Sequence, residues 1–359
     1  MSPAHARVYD LYRADYPKGH YCSAIGGACA ADPDLENSFF QNPAALTARE
    51  PTWAFDGDYN GSSNLEPGMK ESNDVSESSV MGGIGWAGDL WGMAIAFSGR
   101  QERVASSVSV VDENGFTQRF PLAARSRSFD LRIPLAFRAS HKFSLGGAVS
   151  ASLWSQTLTG ENGSRAVASP QSAPIQWGFR FGGIYQPLRS DWEFGSWFKL
   201  PSTRNIRIEL DTQAYSNQIQ YREELALHDP WIWAVGARWN PGSRGKIFLA
   251  ELDAIGPTTD GFLLNYDTFA AALGEGRIRE KGRTVAIQPR IGFQAPIDVG
   301  LSVPPRLLLG SFYETSRRSG LRGRLHATMG IAYQAFSGIE LMIGGDFAKD
   351  FTQIFFTFR

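Results

Sequence analysis

Two cysteines, Cys22 and Cys29, are the side chains with the most obvious chemistry in the N-terminal part of the chain. In an oxidising compartment such as the periplasm, two thiols this close in sequence can close a short disulfide loop. Their spacing matches neither a CxxC redox motif nor a four-ligand metal site. A structural disulfide is therefore the favoured interpretation, with two free thiols as the alternative, and we expect no metal and no cofactor.

The five histidines are the candidates for acid–base catalysis. They are His5, His20, His141, His228 and His326. None has a motif spacing to a serine or a carboxylate, which a Ser–His–acid hydrolase would require. We therefore expect that the chain is not an enzyme, and we interpret His326 as a hydrogen-bonded filler.

The elements that must position these residues are strands, because apolar residues recur at every second position. In the segment 128–138 the large apolar side chains Phe129 to Phe137 share one face, while Asp130 and Arg132 lie on the other. Many such segments run about nine to fourteen residues, the length that a tilted strand needs to cross a bilayer. Several begin or end with Trp or Tyr, as in the aromatic girdles of membrane barrels.

Composition agrees with a membrane barrel. The chain is 43% hydrophobic and 13% aromatic, yet its mean hydropathy is −0.23, and no run of about eighteen uncharged apolar residues predicts a spanning helix. A closed barrel is the sheet that leaves no unpaired edge in lipid. Lys and Arg total 35 against 36 Asp and Glu, so no basic excess indicates nucleic acid.

The sequence thus predicts an all-β fold, a transmembrane antiparallel β-barrel of about 14 strands over residues 51–359. The predicted strands are 52–60, 78–87, 89–99, 126–139, 141–156, 174–187, 190–200, 230–240, 245–255, 283–295, 304–315, 322–335, 337–347 and 349–358. Short turns alternate with long polar loops at 61–77, 100–125, 157–173, 201–229 and 256–282. Short periplasmic turns and long outer loops are typical of such barrels. The tight connection near 348 breaks this alternation, so either that outer loop is short or one strand is misplaced.

Arginines on the face opposite the apolar residues are expected to point into the lumen. The candidates for binding a ligand carboxylate are Arg132, Arg138, Arg180, Arg238, Arg290 and Arg324. Arginine can grip a carboxylate with two parallel hydrogen bonds. The alternative is that they pair with acids such as Asp130, Glu251 or Asp253 and stiffen the barrel.

Residues 1–50 lack the alternation, which predicts a separate plug or hatch inside the lumen. A run of small residues, Ala24 to Ala28, includes Gly26 and Gly27, and it is followed by the stretch Phe39-Phe40-Gln41-Asn42-Pro43-Ala44-Ala45-Leu46. A solvent-exposed leader is the alternative, but it agrees poorly with Phe39, Phe40 and the Gly/Ala packing residues. Residues 1–6 have a small-x-small triplet without an apolar signal region, so we expect a start after signal removal.

In the order and spacing of these motifs the sequence resembles the FadL/TodX family, outer-membrane channels for long-chain fatty acids and other hydrophobic compounds. The resemblance implies a fourteen-stranded barrel closed by an N-terminal hatch whose motif residues are Gly26, Gly27, Phe39, Phe40, Asn42, Pro43 and Ala44. The cysteine pair and the terminal Arg359, which follows the final aromatic residue, depart from the family pattern.

The resemblance implies passive uptake of hydrophobic small molecules such as long-chain fatty acids across the bacterial outer membrane, gated by the hatch. The alternative is a structural or accessory barrel that anchors a partner protein without transport. An open porin is disfavoured by the hatch-like segment. The expected partners are membrane lipid and lipopolysaccharide, a hydrophobic small-molecule ligand, and the barrel-assembly machinery during biogenesis. We expect a monomer that binds no nucleic acid.

Overall fold

In the computed structural model, fourteen antiparallel strands form a closed ring. The structure describes residues 8–10, 19–33, 35–48, 52–60, 74–111, 117–160, 165–170, 175–212, 219–242, 245–257, 263–265, 284–316, 322–336, 339–349 and 351–359. No helix in these ranges is both long and apolar enough to cross a membrane.

Each ring strand pairs with the next ring strand along the sequence, and in three places strands outside the ring lie between the two in the chain. The ring strands are β2 (Thr52–Asn60), β3 (Asp74–Ala87), β4 (Trp91–Val111), β5 (Thr117–Ser140), β6 (Phe143–Gly160), β8 (Gln176–Tyr185), β9 (Trp192–Lys199), β12 (Ile232–Trp239), β13 (Ile247–Ile255), β15 (Ala286–Pro296), β16 (Arg306–Glu314), β17 (Arg324–Phe336), β18 (Ile339–Ala348) and β19 (Phe351–Phe358). The last strand closes the ring by pairing with the first, Phe358 opposite Phe55 and Gln353 opposite Asn60. The predicted strand count and all fourteen predicted strands are confirmed.

Three further strands extend the sheet beyond the ring. They are β7 (Arg165–Pro170), β10 (Ser202–Thr212) and β11 (Ile219–Asp229). β7 pairs with the far end of β6 and with β10, which in turn pairs with β11. β4 and β5 also continue well past their predicted limits, still paired from Gln101 opposite Arg127 to Val111 opposite Thr117.

The predicted loops were therefore wrong for most of residues 100–125, 157–173 and 201–229, which form strands. Strands that rise above an apolar belt need no apolar face, so their sequences lose the alternation that identifies a strand, while their backbone groups still pair. The tight connection near 348 is a short outer loop, because Ala348 pairs directly with Phe351. The predicted loops at 61–77 and 256–282 lie largely outside the described residues. Near the N-terminus, β1 (Val8–Asp10) pairs with β14 (Leu263–Asn265), which lies within the predicted 256–282 loop.

Large apolar side chains cover the outer face of the ring. More than half of the side-chain surface is exposed at, for example, Ile84, Phe137, Trp177 and Ile343. Aromatic pairs at the short-turn end include Trp86 with Trp91, whose ring centroids are 4.7 Å apart. This pattern is that of a lipid-facing belt edged by aromatic residues. The inner face carries the buried charges.

Candidate functional site

Residues 19–48, here called the N-terminal segment, follow the inner wall of the ring. The segment contains α1 (His20–Ala24), α2 (Leu35–Phe40) and a 3-10 helix (Pro43–Ala48). Nearly all of its described side chains are buried. Helix α1 ends at Ala24, and after Ile25 the chain turns through Gly26 at φ 70° and Gly27 at φ 71°. Glycine adopts this left-handed backbone conformation without steric cost.

A disulfide joins Cys22 to Cys29 across this glycine turn. Around it, the Asn37 side-chain amide donates to the carbonyl oxygen of Cys29 at 2.6 Å and to that of Asp32 at 2.5 Å. The Gln41 amide donates to Cys22 Sγ at 3.0 Å. The start of the segment is thereby fastened to its second half.

Inward-facing glycines let the segment lie directly on the barrel backbone. A Cβ atom at Gly195 would overlap the carbonyl group of Ala30, one at Gly310 would overlap the backbone of Ile25 and Gly26, and one at Gly146 would overlap that of Pro43 and Ala44. A Cβ atom at Gly92 or Gly292 would also meet the segment's backbone, and one at Gly83, Gly182, Gly236 or Gly330 would meet one of its side chains. The segment is thus in van der Waals contact with strands on every side of the ring.

Two buried arginines hold the middle of the segment. Arg132 Nη1 donates to the main-chain oxygen of Phe40 at 3.1 Å. Arg180 Nη1 donates to the same oxygen and to that of Gln41. The guanidinium of Arg132 also lies 5.7 Å from the Phe40 ring centroid. A carbonyl at the end of a short helix carries partial negative charge, so two cations stabilise it.

Three more of the predicted arginines contact the segment elsewhere. Arg290 Nη1 donates to Gly26 O at 3.2 Å while its Nε pairs with Asp253 at 2.7 Å. Arg238 lies 3.8 Å from Asp32 and pairs with Glu193 at 2.9 Å, and Arg138 donates to Thr47 O. The acid partners of Arg290 and Arg238 agree with the interpretation that these arginines pair within the barrel. Ligand binding by the arginines stays a prediction.

Arg324 differs from the other five. Its Nε pairs with Glu314 at 2.5 Å. His326 lies between Asp346, at 2.8 Å from Nδ1, and Glu314, at 3.0 Å from Nε2. With a carboxylate at each ring nitrogen, His326 is not arranged as a general base for a serine hydroxyl. The cluster links three neighbouring strands.

The Asn-Pro-Ala motif forms the junction between the segment and the wall. Asn42 Nδ2 donates to Ala30 O at 2.7 Å and to Gly183 O at 3.2 Å, and its Oδ1 accepts from the Ala44 amide at 3.1 Å. One side chain therefore bridges two parts of the segment and one barrel strand. Pro43 begins the 3-10 helix that leads towards β2.

Three barrel residues bind the segment through polar contacts that the sequence did not predict. Glu251 accepts from the Ala30 amide at 2.5 Å. Thr328 Oγ1 accepts from Gly26 N at 2.9 Å and donates to Ala24 O at 3.0 Å. Tyr21 donates to Gln294 at 2.5 Å. Alternation marks Glu251, Thr328 and Gln294 as inward-facing, but nothing local identifies their partners.

Comparison with known proteins identifies the fold. No protein-family model matches the sequence, and no curated protein is significantly similar to it. Among solved structures, the Ralstonia pickettii toluene transporter TbuX matches at a TM-score of 0.62 with 12% identity, covering 94% of this chain and 96% of that one. A Pseudomonas aeruginosa FadL homologue matches at 0.61 with 12% identity, covering 98% and 97%. The monoaromatic hydrocarbon channel CymD matches at 0.57 with 14% identity, covering 94% of each chain.

The chain therefore has the fold of the FadL and TodX channels, an antiparallel barrel of the outer-membrane type. At such identities the likeness concerns the fold. These neighbours are described as transporters and channels, not as enzymes.

Proposed function

We propose that the protein is a bacterial outer-membrane channel for hydrophobic small molecules and that the N-terminal segment is its hatch. The observation that supports this is a ring with an apolar outer belt whose inner wall contacts the segment through both hydrogen bonds and apolar packing. Fold neighbours described as toluene transporters and a monoaromatic hydrocarbon channel support the ligand class.

The charges of the lumen favour neutral hydrophobic compounds over long-chain carboxylates. The six predicted arginines each have a hydrogen-bond or acid partner, and Lys199 pairs with Asp229. A fatty-acid carboxylate would have to displace one of these partners, which costs the free energy of the buried pair. A small aromatic hydrocarbon makes no such demand.

Gating requires that the segment can leave its seat while the ring remains closed. The contacts suit this role, because Arg132, Arg180 and Arg290 bind main-chain oxygens of the segment and also have acids or aromatic rings nearby. Each of these hydrogen bonds to the segment can break without disturbing the strand pairing that closes the ring. Release must also break apolar contacts, because Phe39, Phe40 and Leu46 form a buried cluster with side chains of the inner wall. Gating therefore has to overcome this packing as well as the hydrogen bonds.

The test is uptake of radiolabelled toluene and oleate by cells that lack their own channel for such compounds. A reversible lock gives the sharpest comparison. The Cβ position at Gly236 is 3.1 Å from Ala30 Cβ, so A30C/G236C can form a disulfide after a small shift. Oxidised cells should take up no toluene, and a reductant should restore uptake.

The single variant A30C and the wild-type protein, each with and without reductant, are the controls, since the reductant also acts on Cys22 and Cys29. Faster uptake of toluene than of oleate would agree with the lumen charges. Equal uptake in locked and unlocked protein would refute hatch gating. No uptake in the unlocked protein would support the anchoring alternative, which the close glycine contacts of the segment also fit.

A further inference from the structure

The outer face of β3–β6 combines an apolar belt with a cationic upper edge. Cross-strand rows of lipid-facing residues rise from Trp91 and Phe137 at the short-turn end to Gly99 and Phe129. The eight residue steps from Trp91 to Gly99 rise roughly 20 Å, at about 3.3 Å per residue and the usual strand tilt. The next row, Gln101 beside Arg127, therefore lies roughly 25 Å up, at the outer edge of the hydrocarbon.

A groove of about 680 Å³ occupies this edge. Its floor is the row formed by Val80, Gly99, Phe129 and Leu153, which the register places side by side. Gly99 creates the hollow, since a Cβ there would meet Val80 Cγ1 at 3.4 Å and Phe129 at 4.0 Å. Val80, Phe129 and Leu153 are between 38% and 45% exposed, so the groove is open to lipid and apolar.

Polar and cationic residues cap the groove. The row above its floor is Ser78, Gln101, Arg127 and Ser155, and all four line it. Arg125 is the next outward-facing residue on β5 and donates to Gln101 Oε1 at 2.7 Å. Register neighbours of Arg125 on the adjacent strands are Arg103 and Thr157, and those of Arg127 are Gln101 and Ser155. None of these four paired positions is acidic.

We propose that this groove is a binding site for an anionic lipid of the outer leaflet. One acyl chain lies along the row at Gly99, and the phosphate of the headgroup binds Arg125 and Arg127. Paired arginines favour phosphate because their planar donors match its oxygens. An isolated apolar hollow would suit any lipid, whereas the cationic cap selects an anionic one. Lipid A, with phosphates directly above its acyl chains, has the matching chemistry.

The experiment titrates the purified barrel in neutral detergent with bis-phosphorylated hexa-acyl lipid A and counts bound lipid by native mass spectrometry. R125Q/R127Q should weaken binding roughly thirtyfold, at about 1 kcal/mol for each arginine near a lipid surface. R322Q/K349Q is the matched control, because it removes two exposed cations from the outer rim near β17–β19. It should bind lipid A as the wild type does.

Two further arms separate the acyl chain from the phosphate. G99L should fill the groove and weaken binding, whereas G99A should be tolerated. Dephosphorylated lipid should bind the wild type as weakly as lipid A binds R125Q/R127Q. The proposal is overturned if R125Q/R127Q retains full affinity, if G99L has no effect, or if inorganic phosphate alone at millimolar concentration displaces the lipid. Toluene uptake by R125Q/R127Q should be normal, so this result is independent of the transport test.

Discussion

Arg180 on β8 donates hydrogen bonds to the main-chain oxygens of Phe40 and Gln41, and so binds the N-terminal segment where α2 ends. Its guanidinium also lies 4.8 Å from the ring centroid of Trp197. The arginine thus binds the backbone of the segment and not its side chains in these hydrogen bonds. It shares the Phe40 oxygen with Arg132 on β5, so two strands that are not neighbours meet at one atom of the segment.

Replacing both arginines should release the segment without opening the ring. A hydrogen bond to a charged group contributes about 1.5–3 kcal/mol, so R132Q/R180Q should destabilise the seated state by about 3 kcal/mol. The seated and displaced populations then shift roughly a hundredfold. Limited proteolysis should cut within residues 19–48 far faster, while the barrel still migrates as a folded band in unheated gels. R189Q, at an exposed turn, is the control. Unchanged cleavage would contradict the prediction that the two arginines hold the segment in place.

The contact between Gly195 and Ala30 predicts a steric test. G195A would force its Cβ into the Ala30 carbonyl group, so the segment must shift away from β9. Hydrogen exchange of the Ala30 amide, which is bonded to Glu251, should accelerate. G183A is the matched control, since the nearest atom to a Cβ there is 3.6 Å away. If the Ala30 amide exchanges as slowly in G195A as in the wild type, the barrel accommodates the added methyl group. The close contact between Gly195 and Ala30 is then not required to hold the segment.

Removing the disulfide should loosen the turn at Gly26 and Gly27 while leaving the barrel intact. Short disulfide loops contribute about 2–3 kcal/mol by restricting the free chain. C22A/C29A should therefore raise amide exchange across residues 22–30, with no change in the temperature at which the barrel band is lost in gels. Adding a dithiol to the wild type should reproduce the variant. Loss of the barrel itself in C22A/C29A would contradict a role confined to the segment.

The bonds of Asn42 can be tested either by removing them or by opposing them with charge. N42A removes both donor bonds, to Ala30 O and Gly183 O, and the acceptor for the Ala44 amide. N42D keeps the acceptor but places a buried carboxylate against the two carbonyl oxygens, which is costly. Ion leak through single channels in planar bilayers should be greater for both variants than for the wild type, and greatest for N42D. Equal, wild-type leak in both would show that the Asn42 bridge does not keep the lumen closed.

Deleting residues 1–48 should leave an open pore, because the strand pairing that closes the described ring does not involve the segment. Strand pairing closes between β19 and β2, which starts at Thr52. Conductance should then be steady and ohmic in planar bilayers, with the same strand content by circular dichroism. A folded deletion variant that conducts no more than the wild type would show that the lumen is blocked by something other than the segment.

Much of the architecture was available from the sequence because a lipid-facing strand needs an apolar residue at every second position. The strand from Thr117 to Ser140 shows both the strength and the limit of this rule. Its lower half, with Phe129 to Phe137, was predicted correctly. Residues 117–125 of its upper half were assigned to a loop, because above the belt an outward position such as Arg125 carries no hydrophobic signal.

The sequence by itself determined which side chains face inward, since alternation fixes the face of each residue once a strand is recognised. It therefore identified Arg132, Arg180 and Arg290 as lumen residues and the Phe40–Ala44 motif as a separate segment. Only the tertiary structure decided that these arginines bind the segment, because their acceptors are main-chain oxygens of Phe40, Gln41 and Gly26. Every residue carries such an oxygen, so the choice of partner depends on where the fold brings two distant stretches of chain into contact.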